Sequence, residues 1–146
     1  MSEDPRLGGI VRLYGAEQTH ALANSHVAVI GIGGVGSWTA EALARSGVGK
    51  ITLIDLDDVC VTNTNRQIHA LNNTIGEPKV EVMASRIAQI NPACDVAVIE
   101  DFITPENTKD STRSYTNTTD IYDSLIYIGI IDTLYNLPYT PIATLM

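Results

Sequence analysis

Basic residues, aromatics, cysteines and long apolar runs are all scarce in this chain, and each shortage argues against a class of protein. Nine Lys and Arg stand against seventeen Asp and Glu, a formal net charge of −8. Phosphate contacts need Lys and Arg, so non-specific nucleic-acid binding by the whole surface is disfavoured and any nucleic-acid substrate must meet a local basic patch. Two cysteines, Cys60 and Cys94, with no C-x-x-C pair leave no basis for a disulfide framework or the usual zinc knuckle. No apolar run reaches the roughly 18 to 20 residues of a membrane span, and the first residues are polar and acidic rather than signal-like. The expectation is a soluble, cytoplasmic protein with no membrane partner.

What is present is a globular composition. With 146 residues, 45% hydrophobic and 18% charged, the chain has room for one sizeable core and little for a second. Composition changes near residue 107. The part before it is rich in Ala, Val, Ile and Gly. Residues 108–146 hold five of the six tyrosines and eight threonines but one alanine, Ala143, and show no convincing helix pattern.

Before residue 107, apolar periodicity alternates between helix and strand. Helices are predicted over Gly15–Ala23, Gly34–Ser46 and Val80–Ile90; Trp38, Ala42 and Arg45 are helically spaced in the second, Val80, Met83, Ile87 and Ile90 in the third. Asn91-Pro92 stops the last helix. Short β-branched runs predict buried parallel strands over His26–Gly31, Lys50–Asp55 and Asp95–Ile99, with a fourth over Leu125–Ile131. Strands alternating with helices imply right-handed βαβ units: an α/β fold, Rossmann-like and doubly wound, with a mainly parallel sheet and flanking helices.

Gly31-Ile32-Gly33-Gly34-Val35-Gly36 fits G-x-G-x-x-G and falls between a predicted strand and helix. There, Gly31 permits a tight turn, Gly33 lets phosphate oxygens approach the backbone and Gly36 allows close packing of helix on strand. The helix N-terminus supplies N–H groups and partial positive charge. Asp55, nineteen residues after Gly36, ends the next strand and can accept hydrogen bonds from ribose hydroxyls. An NAD-dependent dehydrogenase would use the same loop and the same carboxylate. The residues beyond Asp55 favour ATP: Asp57, then Asn63-Thr64-Asn65-Arg66-Gln67, then Gly76-Glu77-Pro78-Lys79. Cleavage between the α- and β-phosphates needs cations that stabilise a leaving pyrophosphate, whereas hydride transfer does not.

The pattern L-I-D-x-D-x-V-x-x-x-N-x-x-R-Q with a later lysine resembles the ubiquitin-activating-enzyme-like, ThiF-type adenylyltransferases. Within that superfamily, RLGGIVRLYG from Arg6, the run from VIGIGGVGSW to NRQIHAL, and INPACDVAVIEDFITPEN are similar to the dehydratases that act on threonylcarbamoyladenosine in tRNA. The resemblance covers about residues 6–107. It implies an enzyme that uses ATP to adenylate the substrate carboxylate, after which ring closure expels AMP, a net dehydration. It also implies a homodimer, a tRNA substrate and sulfur-relay protein partners.

By that resemblance Gly31, Gly33, Gly34 and Gly36 line the phosphates and Asp55 holds the ribose. Asp57 shapes the site or assists a metal. Asn63, Arg66 and Gln67 bind nucleotide, with Arg66 facing the phosphates, and Lys79 neutralises the α-phosphate. Arg12 matches an arginine that reaches a neighbouring subunit's ATP. Asp132 stands in for the carboxylate that organises the Mg2+ of ATP. Trp38 is expected to pack, His69 to be structural or on the surface rather than a base, and Cys60 and Cys94 to be small buried hydrophobes. Relatives that transfer ubiquitin-like proteins carry a further cysteine with no counterpart here, which weakens a thioester reading.

After Asn107 the pattern of the relatives is lost. Residues 1–107 are thus read as the nucleotide-binding domain, and 108–146 as a divergent tail with the look of frameshifted sequence, truncated relative to the family. Two other functions stay open: activation of the C-terminus of a ubiquitin-like or sulfur-carrier protein, and a non-catalytic nucleotide-binding fragment.

Overall fold

A computed structural model describes residues 4–102 and the strand at 125–129. Asp132 lies outside the described residues. Helices α1 (Gly8–Tyr14) and α2 (Ala16–Ala23) lead into strand β1 (His26–Ile30), followed by α3 (Gly36–Arg45), β2 (Lys50–Ile54), α4 (Lys79–Ile90), β3 (Asp95–Ile99) and β4 (Leu125–Gly129). The strands form one parallel sheet in the order β3-β2-β1-β4. This is the Rossmann-like α/β fold that the alternating pattern predicts. The three predicted βαβ strands and the fourth apolar run all appear, each within two residues of its predicted end.

Registers are uniform. His26 stands opposite Lys50 and Leu125, and Lys50 stands opposite Asp95, so the four strands start level and their carboxyl ends finish level. After β3 the chain returns to the far side of β1. That reversal opens a crevice beyond the carboxyl ends of β1 and β4, where sheets of this kind receive ligands.

The main core lies between one sheet face and the pair α3 and α4. Val27, Val29, Ile51 and Leu53 meet Ala40, Ala44, Val80, Met83 and Ile87, all buried. Fully burying a Val, Leu, Ile or Met side chain stabilises by roughly 1.5–3 kcal/mol, so this interface dominates the described fold. On α4 the predicted Val80, Met83 and Ile87 are buried and Ile90 is partly buried, and Lys79 and Val82 are buried as well.

Helix α3 is oriented otherwise than its large residues imply. Gly36, Ser37, Ala40, Glu41 and Ala44 face inward, while Trp38, Ala42 and Arg45 face outward. Trp38, expected to pack, is 53% exposed. Small residues win the inner face because they let the helix axis approach the sheet. Helix α1 has no counterpart in the periodicity: Gly8 and Gly9 open it at a cost of about 1 kcal/mol each relative to alanine, and Leu13 and Tyr14 are exposed.

Glu41 is the charged exception in the α3–α4 interface. It is buried and bonded by Arg86 Nε from α4 at 2.5 Å and by Arg45 Nε at 2.8 Å. Burial alone would raise its pKa, but the hydrogen bonds and charges of Arg86 and Arg45 outweigh that and hold the carboxyl below its ordinary value. A lowered folded pKa means that this stabilisation is complete above the ordinary carboxylate range and disappears as pH falls through the lowered value. Glu41→Gln should therefore cost roughly 2–4 kcal/mol at neutral pH. Urea midpoints should show the gap to wild type closing in acid, below the carboxylate range.

Candidate nucleotide site

Gly31 leaves β1 with φ +83° and its N–H donates to Ile54 O of β2 at 2.8 Å. At Gly36 a Cβ would lie 1.7 Å from Gly31 O. Both glycines are thus required by geometry, one by a left-handed backbone and one by direct contact between the start of α3 and the turn. Ser37 N donates to Gly33 O and begins the helical ladder. Among the described residues the amides of Gly33, Val35 and Gly36 donate to no protein acceptor. These donors sit where the helix dipole adds positive potential, an arrangement that suits an anion.

Asp55 holds the loop. Its Oδ2 accepts the Ile32 amide at 2.6 Å and its Oδ1 accepts the Asp57 amide at 2.8 Å. Each oxygen retains a second lone pair for a hydroxyl donor.

The connection from β2 to α4 is long and closed. Asp58 bridges Pro78, Val59 N donates to Glu77 O, and Gly76 N donates back to Val59 O. Val59 and Ala70 pack on Val82 of α4, which seats the excursion. It carries Asn63, Arg66, Gln67 and His69 and is stitched to the loop and α3 at three points. Trp38 Nε1 donates to Arg66 O at 2.9 Å, Ile68 N donates to Ser37 Oγ at 3.4 Å, and His69 Nε2 meets Ile32 O at 2.8 Å.

The expected site residues divide into held and presented groups. Asn63 is buried and its Oδ1 accepts the Cys60 amide at 2.9 Å, so it braces the excursion. Gln67 is buried, and its Oε1 has no partner among the described residues. Arg66 is exposed, its guanidinium donating to Thr62 O and Asn65 Oδ1, and no described carboxylate pairs with it. Arg12 is exposed on α1, and its side chain makes no hydrogen bond or ion pair with the loop or the excursion among the described residues. No group of three metal-ligating side chains occurs among the described residues.

Lys79 begins α4 at 6% exposure, its Nζ 3.1 Å from Asp57 Oδ2 and its own amide donating to Asp57 O. An ammonium at the positive end of a helix is unfavourable for folding. Asp57 offsets that cost, and this pairing is the only contact in which its carboxylate is engaged among the described residues. Cys60, expected buried, is exposed, and the Thr62 hydroxyl donating to its Sγ lowers its pKa. Cys94 is half-buried, its thiol pushed up to about 11 chiefly by burial. His69 is buried to 1%, and burial, against the bond to Ile32 O, depresses its pKa.

Level strand ends, a glycine turn held by the next strand's carboxylate and a crossover folded back over it define a class: a Rossmann-like α/β domain built around a phosphate-loop geometry. More narrowly, the chain belongs to the ThiF family, whose model matches residues 7–134 and so takes in β4. It is 65% identical over 102 residues to the tRNA threonylcarbamoyladenosine dehydratase of Escherichia coli K12, across 70% of this chain and 38% of that protein. The dehydratase of the same name from Haemophilus influenzae is 54% identical over 123 residues, 84% of this chain and 47% of that one. A crystal structure of the E. coli tRNA N6-threonylcarbamoyladenosine dehydratase in complex with ATP matches with TM-score 0.73 and 61% identity, over 74% of this chain and 44% of that one. The chain thus spans less than half the length of these relatives.

Removing the Lys79 charge should separate folding from binding. Lys79→Met keeps the buried stem and removes an ammonium that the helix end disfavours. Thermal melting should show a midpoint close to or above wild type, while titration calorimetry shows ATP binding weakened about tenfold, the loss of one charge-assisted contact.

Proposed function

We propose that this chain is the nucleotide-binding part of an ATP-dependent dehydratase that cyclises threonylcarbamoyladenosine in tRNA. The observation that supports this most is the convergence at one sheet end of the amides of Gly33, Val35 and Gly36, unpartnered among the described residues, with an exposed Arg66 and a lysine at a helix start. In the proposed reaction the substrate carboxylate oxygen attacks the α-phosphorus and pyrophosphate departs, giving an acyl adenylate. Ring closure onto the acyl carbon then expels AMP, with net loss of water.

In this reading Gly31, Gly33, Gly34 and Gly36 form the phosphate turn, Asp55 takes the ribose hydroxyls, and Asn63 and Gln67 shape the nucleotide pocket. Arg66 and Lys79 stabilise charge that grows on the phosphates, Lys79 by exchanging Asp57 for a phosphate oxygen. Magnesium bound with ATP would be held by phosphate oxygens and one or two carboxylates, and Asp132 is the carboxylate this reading assigns to it. Arg12 completes the site of a second copy in a homodimer. The proposed setting is the cytoplasm, where tRNA is the substrate and sulfur-relay proteins are partners. No helix among the described residues is long and apolar enough to cross a membrane.

Calorimetric titration with ATP and with NAD tests the nucleotide. ATP should bind more tightly, and tighter NAD binding would move the chain to the dehydrogenases. Trp38 is the chain's one tryptophan and bonds the Arg66 carbonyl, so ATP should also change the intrinsic fluorescence. Arg66→Ala should raise the barrier to pyrophosphate release by roughly 2–4 kcal/mol with little change in melting temperature. An unchanged rate would remove Arg66 from the site.

A further inference from the structure

His69 takes none of the roles assigned to the nucleotide site, yet it is among the most buried polar side chains described and points at the phosphate turn. Its Nε2 is 2.8 Å from Ile32 O, and its Nδ1 is buried without a partner among the described residues. A carbonyl oxygen only accepts, so Nε2 carries the proton, and burial with no acceptor beside it disfavours a second proton on Nδ1, which is bare. The same stretch of turn is gripped from the other side, because Ile32 N donates to Asp55 Oδ2 at 2.6 Å. Both polar groups of Ile32 are therefore anchored, one to β2's carboxylate and one to the excursion.

The consequence falls on Gly33. No cis peptide is present, so the Gly33 N–H points opposite to the Ile32 carbonyl across one planar unit. With that carbonyl tied to His69, the Gly33 N–H is turned away from the imidazole, and it donates to no protein acceptor among the described residues. Glycine imposes no rotation of its own on this peptide, which makes an external anchor necessary for a fixed donor.

We propose that His69 is a positioning residue: as the Nε2–H tautomer it locks the Ile32–Gly33 peptide so that the Gly33 N–H faces a nucleotide phosphate oxygen. This rests on the ATP reading of the site. It assigns to His69 an effect on phosphates and none on the adenosine end of the ligand.

The test compares ATP with adenosine, by calorimetry, on the full chain and on His69→Leu and His69→Gln, with melting curves alongside. His69→Leu should weaken ATP about tenfold or more, the size expected for a misdirected hydrogen bond to a charged group, and leave adenosine within about twofold. His69→Gln, whose amide can donate to the same carbonyl, should recover most of the ATP affinity. Equal losses for both ligands, or no loss for ATP, overturn the assignment while the ATP reading stands. A wild-type chain that binds adenosine and ATP equally overturns it too, and one that binds neither overturns the ATP reading and this assignment together. Imidazole 15N shifts of the unaltered protein give an independent check that needs no variant. A protonated Nε2 and bare Nδ1 are expected, and the opposite tautomer overturns the proposal even if His69→Leu fails to fold.

Discussion

Asp55 joins the ends of two neighbouring strands through the Ile32 amide at 2.6 Å, and the geometry of the site descends from that link. Because β1 and β2 run parallel with level ends, the carboxylate that closes one strand lies beside the turn that leaves the other. A carboxylate bonded to a backbone amide is among the stronger hydrogen bonds in proteins, and here it fixes a turn made mostly of glycine. Gly31 O then lies where only Gly36 can pass, which sets where α3 begins. Shift the register of β2 by one residue and Asp55 would face the other side of the sheet.

The second level of organisation is the grip of the crossover on the turn. Trp38, Ser37 and Ile32 each bond one residue of the excursion, Arg66, Ile68 and His69 in order. Just before them, buried Asn63 accepts the Cys60 amide on its side chain and the Arg66 and Gln67 amides on its carbonyl. An exposed arginine is ordinarily a mobile group. Here its main chain is anchored on both sides, so its reach is bounded by side-chain rotation alone.

Sequence made much of this legible, for identifiable reasons. Strands β1 to β3 are short β-branched runs bounded by polar residues, and α4 has one unbroken apolar stripe, so periodicity alone places them. The glycine turn and Asp55 are legible because their spacing encodes a required geometry. Helix α3 shows the limit: its existence is readable from spacing, but its buried face is made of Gly, Ser, Ala and a paired Glu41, residue types that hydrophobicity does not mark. Helix α1 is hidden by its opening glycines. The bonds of Trp38 and His69 join residues 28 and 37 positions apart, and nothing local in the chain announces such pairs. Cys60 misleads in another way, since the average burial of cysteine says little about a loop that points outward.

The clasp at the foot of the excursion has an evolutionary reading. Val59 pairs with both Glu77 and Gly76, and Asp58 bridges Pro78, so the two ends of the segment are fastened to each other before it departs. Lengthening or replacing its outer portion, around the exposed Leu71 and Ile75, leaves the spacing between Asp57 and Lys79 unaltered. Chain growth costs little entropy once a loop is closed at its base. The fold thus separates an outer arc that is free to change length from a base and a stitched inner stretch that are not.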